Sequence, residues 1–167
     1  MSRHDDLTAF AYGEPPRADH PAMMRVYKLA AKNNLPVLIH HNISSAWKRE
    51  PVYLKELGNA LTENPDTTII WAHAGVSRRV DVPSLLIDLR TVLLAYPNLF
   101  IDISWVVYTD IIARDKNSLA AWAQCIEEFQ ERFIIGSDKV GHWGTYGAEI
   151  SKYDSLLDIL KPGTAQN

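Results

Sequence analysis

Thr68-Ile69-Ile70-Trp71-Ala72-His73 is a short apolar run that stops on a residue able to bind a metal or move a proton. A run of this length and composition reads as a buried parallel strand. The pattern occurs three more times, in Pro36-Val37-Leu38-Ile39-His40, in Leu99-Phe100-Ile101-Asp102 and in Arg132-Phe133-Ile134-Ile135-Gly136-Ser137-Asp138. His40 and His73 are 33 residues apart, His73 and Asp102 29, and Asp102 and Asp138 36. A loop and a helical pattern follow each run. A repeated βα unit sets the carboxyl ends of its strands on one face of the sheet, where active sites of such folds lie. Two imidazoles and two carboxylates at those ends point to a metal-assisted hydrolytic site.

The intervening segments carry helix signals. Residues 1–18 read as a polar, irregular lead-in. Asp19 is placed to cap a helix with Pro21 in its first turn, and Met23, Val26, Tyr27 and Ala30 form its apolar stripe. A second helix begins near Pro51, shows Leu54, Leu57 and Leu61, and stops at Asn64-Pro65 because proline disfavours helix in the residue before it. A third begins at Pro83 or Ser84 and buries Leu85, Leu86, Leu89, Val92 and Leu93. A fourth spans about Ser118 to Phe129, after a long connection that holds a short helical turn. The last spans about Ala148 to Leu160. The order α-βα-βα-βα-βα implies α/β architecture, a parallel sheet with helices outside it. Four strands do not close an eight-stranded barrel.

The 167 residues, 47% hydrophobic and 22% charged, suffice for one domain with a real core. A net charge of −3 gives no electrostatic reason to expect nucleic acid. No apolar stretch is long enough for a bilayer, and the start carries no secretory h-region. With a single cysteine, Cys125, no intrachain disulfide forms. Together these features lead us to expect a cytoplasmic protein that acts on a small molecule. Five tryptophans and seven tyrosines are many for this length. Trp47, Trp105, Tyr108, Trp143 and Tyr146 fall just past strands, where aromatics more often line a ligand pocket.

The four strand ends resemble the second half of an amidohydrolase, a metal-dependent hydrolase with a (β/α)8 barrel. The likeness is greatest to the branch that includes aminocarboxymuconate-semialdehyde decarboxylase. Leu38-Ile39-His40 resembles its fifth strand, Trp71-Ala72-His73-Ala74-Gly75 the sixth, Asn98-Leu99-Phe100-Ile101-Asp102 the seventh and Ile135-Gly136-Ser137-Asp138 the eighth. The resemblance runs from about Asp19 to Leu160 and implies a partial TIM barrel. It implies that His40 ligates a metal, and that His73 ligates a metal or moves a proton. Asp138 would bind the metal and take the proton from the water nucleophile. Zinc is the expected ion, with manganese and iron as alternatives. The family's first-strand His-x-His pair has no counterpart, since His40-His41 are adjacent and point to opposite faces of a strand. The sequence therefore reads as a fragment, a truncated frame or a split form. Its expected partners are a complementing N-terminal half or a second copy joined through unpaired strand edges.

A catalytic zinc takes about three protein ligands and one open position. Hydrolysis of an amide, ester or lactone is the first expectation. Nonoxidative decarboxylation and a catalytically incomplete binding module are the alternatives. Each residue also has a plainer role. His40 could be a hydrogen-bonded core histidine, Asp102 a cap for the following loop, and Asp138 a cap for the segment beyond it. Burying Asp138 would require a partner or a cation. Arg78, with Arg79, could grip a substrate carboxylate through paired donors or form a solvated basic pair. Lys139 could pair with Asp138. His41 faces helices or loop, and Cys125 packs in the core. Trp47, Arg78, Trp105 and Trp143 are the expected substrate contacts.

Overall fold

The computed structural model describes residues 16–77, 80–141 and 143–165. The chain divides into two compact units, Met1–Phe100 and Ile101–Asn167. In the first unit α1 (Pro21–Lys32), β1 (Val37–Ile39), α2 (Leu54–Glu63), β2 (Ile69–Trp71) and α3 (Leu85–Ala95) follow one another. β3 (Leu99–Asp102) begins there and ends in the second unit, which continues with α4 (Lys116–Glu128), β4 (Phe133–Ile134), α5 (Tyr146–Ser151) and α6 (Asp154–Leu157). The strands lie in the order β1-β2-β3-β4. β1 and β2 pair in parallel with Val37 opposite Ile69 and Ile39 opposite Trp71, and β3 and β4 pair in parallel with Ile101 opposite Phe133.

Side-chain amides and hydroxyls set where the strands of the first unit start. The Asn98 amide donates to the carbonyls of Asn64 and Thr67, both at 3.0 Å, while Ile69 N–H donates to Asn98 O at 2.9 Å. Thr67 Oγ1 donates to Tyr27 O at 2.9 Å, tying α1 to the entry of β2. The cap of α1 is His20, whose Nδ1 accepts from Ala22 N–H at 3.2 Å. Asp19, the expected cap, is instead held by Arg17 and by the Asn59 amide at 2.7 Å. The Arg17 guanidinium holds its carboxyl below the usual range, against the raising effect of burial.

The buried stripe of α1 also differs from expectation. Met24 and Tyr27 face inward, while Val26 is 47% exposed. Tyr27 fixes this phase, because its hydroxyl donates to Ala18 O at 3.1 Å. Burial, helped by the Asp19 charge, pushes that phenol up to about 12. α2 buries Leu57 and Leu61, and α3 buries Leu85, Leu89, Val92 and Leu93, as the sequence predicts; Ala60 joins the buried face of α2, while Leu54 and Leu86 are half-buried. Fully burying such a side chain is worth about 1.5–3 kcal/mol.

In the second unit α4 starts two residues before the expected Ser118, because Asp115 caps it by accepting from Ser118 N–H at 2.8 Å. Trp122, Ala123, Cys125 and Ile126 are its buried face, so the thiol packs in the core. The expected last helix is broken into α5 and α6, with buried Tyr153 at the break. Not every strand is buried. Leu38 in β1 is 63% exposed and Ile134 in β4 37%, as befits the two edge strands of this order. Among the described residues no helix is long and apolar enough to cross a membrane.

Candidate functional site

In the first unit two of the expected residues meet. His40 follows β1 and is half-buried, and His73 follows β2 and is buried. Their rings lie edge to face with centroids 4.9 Å apart. His41 points the other way, as alternation requires. It is fully buried, and its Nε2–H donates to Tyr53 O at 3.1 Å.

The turn that carries His73 is unusual. His73 (φ 55°, ψ 30°), Ala74 (φ 50°, ψ 25°) and Gly75 (φ 72°) are left-handed in succession. A residue with a Cβ loses about 1–2 kcal/mol there, and left-handed residues normally occur singly. The surroundings hold the turn closed. Val76 N–H donates to His73 O at 2.9 Å, and Ile43 N–H donates to Gly75 O at 2.7 Å. The loop after β1 is bound to itself as well. Tyr53 N–H donates to Ile43 O at 3.0 Å, and Ser44 Oγ donates to Lys48 O at 2.9 Å and to Glu50 O. Arg49 Nε donates to Asp81 O at 3.1 Å, linking the loops beyond β1 and β2.

The second unit treats its polar strand ends differently. Asp102 is buried, but its carboxylate turns onto its own loop and accepts from Ser104 N–H at 3.1 Å and Ser104 Oγ at 2.7 Å. It thus performs the capping role that the sequence offered as its plainer one. Gly136 is needed beside it, since a Cβ there would lie 2.9 Å from Asp102 Oδ1. Tyr153 Oη donates to Ile103 O at 2.6 Å and to Gly136 O at 3.2 Å, joining the ends of β3 and β4. Burial raises that phenol well above its usual value, reinforced by the Asp102 charge. Tyr108 packs against Tyr153 with the rings tilted by 47° and centroids 4.5 Å apart, and its hydroxyl meets Ser155 Oγ at 2.5 Å.

Asp138 is exposed and left-handed (φ 50°), so the expectation that it needs a partner because it is buried does not apply. Lys139 pairs with Glu149 at 3.0 Å. Lys152 and Lys139 together hold the Glu149 carboxyl below its usual range. Of the expected substrate contacts, Trp105 is half-buried with φ 64°, while Trp47 and Trp143 are 71% and 87% exposed. Arg78 and Arg79 lie outside the described residues, as do His4 and His142. Sequence reasoning missed Trp71, Ser104 and Tyr153. Trp71 sits at a buried strand position that shows only packing, and nothing near Tyr153 in sequence announces what its hydroxyl reaches.

A resident metal needs more donors than this. Among the described residues no group of three or more His, Cys, Asp or Glu side chains could hold an ion. His40 and His73 offer two imidazoles where a zinc takes about three protein ligands. The described residues alone therefore do not fit a complete site.

Four parallel strands in sequential order, with helices between them, make part of a (β/α)8 barrel. Residues 5–152 match the amidohydrolase family model, and the chain belongs to that family. No curated protein matches it. Solved structures share the fold. An uncharacterised TIM-barrel protein from Bordetella bronchiseptica is 16% identical with a TM-score of 0.64, and the match covers 91% of this chain and 48% of that one. An amidohydrolase from Burkholderia multivorans with bound zinc is 16% identical with a TM-score of 0.64, over 99% of this chain and 58% of its own. Amidohydrolase 2 from Bifidobacterium longum subsp. infantis is 15% identical with a TM-score of 0.53, over 88% and 54%. The chain thus spans about half the length of these structures.

Proposed function

We propose that the chain is the histidine-bearing half of a metal-dependent amidohydrolase that cleaves a small amide, ester or lactone, in the aminocarboxymuconate-semialdehyde decarboxylase-like branch. The observation that carries the proposal is the His40–His73 ring pair, at the ends of adjacent parallel strands in a chain of this family. Neutral imidazoles are the commonest metal ligands and also move protons near neutral pH. In this reading His40 is a ligand, and His73 a ligand or the proton carrier beside the substrate carbonyl. Asp138 is the carboxylate partner, a role that rests on its place after the last strand motif and on the family resemblance. Ligands beyond the described residues complete the set. The zinc named for the Burkholderia relative makes zinc the first ion to test, ahead of manganese and iron.

The test is zinc uptake by the full chain, by plasma mass spectrometry and by titration, with His40→Ala and His73→Ala alongside. We expect uptake by the wild type that weakens about 10-fold or more in either variant. Uptake indifferent to both substitutions, or none in a folded chain supplied with zinc, overturns the reading. Carbon dioxide release from an unsaturated acid, without hydrolysis, would replace it with decarboxylation.

A further inference from the structure

Two imidazoles at the ends of two different strands keep one spacing only if both strand ends are fixed relative to each other. His73 poses the harder case, because it sits in a run of three left-handed residues. Trp71 touches both sides of this problem. It is fully buried and lies opposite Ile39 in the β1–β2 register. Its indole N–H donates to His41 O at 2.6 Å, one residue past His40. Its ring lies against Gly75, two residues past His73. A Cβ at position 75 would be 2.1 Å from Trp71 Cζ2 and 2.6 Å from Cε2, so the turn closes only over a glycine.

We infer that Trp71 is a positioning residue for the His40–His73 pair. The indole N–H anchors the backbone beyond His40 and the benzo carbons of the same ring lie against the turn beyond His73, so a single rigid ring sets the imidazole spacing. Trp71 acts through the two backbones, at His41 O and at Gly75. The clamp stands on the geometry alone; its use in chemistry rests on the hydrolase reading.

Trp71→Phe removes the donor to His41 O and the Cζ2 and Cη2 carbons beside Gly75, and leaves in place the turn's own bond from Val76 N–H to His73 O. The measurement is proton NMR of the full chain. In the wild type we expect nuclear Overhauser contacts between the His40 and His73 rings. In a Trp71→Phe chain with a dispersed amide spectrum we expect those contacts to be lost while contacts within the His73–Val76 turn persist. A purely structural role would weaken both together. Ring-to-ring contacts unchanged in folded Trp71→Phe overturn the inference. Should that variant not fold, exchange of the wild-type Trp71 indole proton decides. Slow exchange, as for a buried bonded donor, supports the clamp, and exchange as fast as an exposed indole overturns it. Zinc titration of the same samples separates the two claims. A wild type with ring contacts but no zinc uptake overturns the hydrolase reading and leaves the clamp supported by its NMR result. With uptake present, Trp71→Phe should weaken it about 10-fold.

Discussion

The strand ends of the two units solve one problem in opposite ways. In the first unit the polar groups are imidazoles, packed against each other and held by backbone geometry and an indole. In the second they are carboxylates. One of them, Asp102, is bonded to its own loop, and the other, Asp138, stands exposed. The difference follows from the cost of burial. A neutral imidazole packs against another ring at little cost, whereas an ionised carboxylate must be paired, hydrogen-bonded or left in water.

The glycines test this contrast most severely. Gly75→Ala forces a Cβ to 2.1 Å from the rigid Trp71 ring at φ 72°, and we expect a loss of about 3 kcal/mol or more in urea unfolding. Gly136→Ala meets the Asp102 carboxylate at 2.9 Å and the Ser104 Cβ at 3.1 Å, which side-chain rotation can partly relieve. About 1–2 kcal/mol is expected there. Equal losses would mean that the two strand ends are equally rigid, and would break the comparison.

Tyr153→Phe sharpens the second half. It removes the hydroxyl that bridges Ile103 O and Gly136 O, and should cost about 1–2 kcal/mol by the same measurement. A loss below the experimental scatter would show that the two strand ends hold together without the bridge.

Alkali should reach the first unit through Tyr27. Its phenol is raised from 10.0 to about 12, so folding favours the protonated form. That contribution is complete below pH 10 and is lost as pH rises toward about 12, because the unfolded chain gives up its proton first. Thermal midpoints of Tyr27→Phe should therefore fall less steeply over this window than those of the wild type. Parallel slopes would remove Tyr27 as a cause.

The smallest effect belongs to Asp138. Replacing an exposed side chain by Asp138→Asn should change stability by less than about 0.5 kcal/mol. If hydrolysis is nonetheless abolished, the carboxylate is present for chemistry alone. A large loss of stability would instead make Asp138 a structural cap, and erase the contrast with Asp102.

The sequence makes much of the fold legible because two periods alternate in it. The short apolar runs and the stripes of α2 and α3 are local signals, and they fall where the structure has them. Specific side-chain anchors overrode the helix signals elsewhere. Asp19 was drawn from a cap by Arg17 and Asn59, and Tyr27 rotated α1 toward Met24 by bonding to Ala18 O. The His40–His73 pair was legible as two strand-end residues one βα unit apart. The indole that spaces them was not, because a tryptophan in an apolar run looks the same whether it fills a core or holds a carbonyl. The left-handed turn had only Gly75 as its signature; nothing marks His73 or Ala74 for that conformation.

The single thiol of Cys125, sealed in the face that α4 buries, gives this chain a clock of its own. A thiol-reactive dye can label it only when that face opens, so the labelling rate under native conditions counts openings of the second unit without any denaturant. A chain whose dye uptake is quick while the Trp71 indole proton stays slow would be one that breathes at its aspartate end and holds still around its histidines.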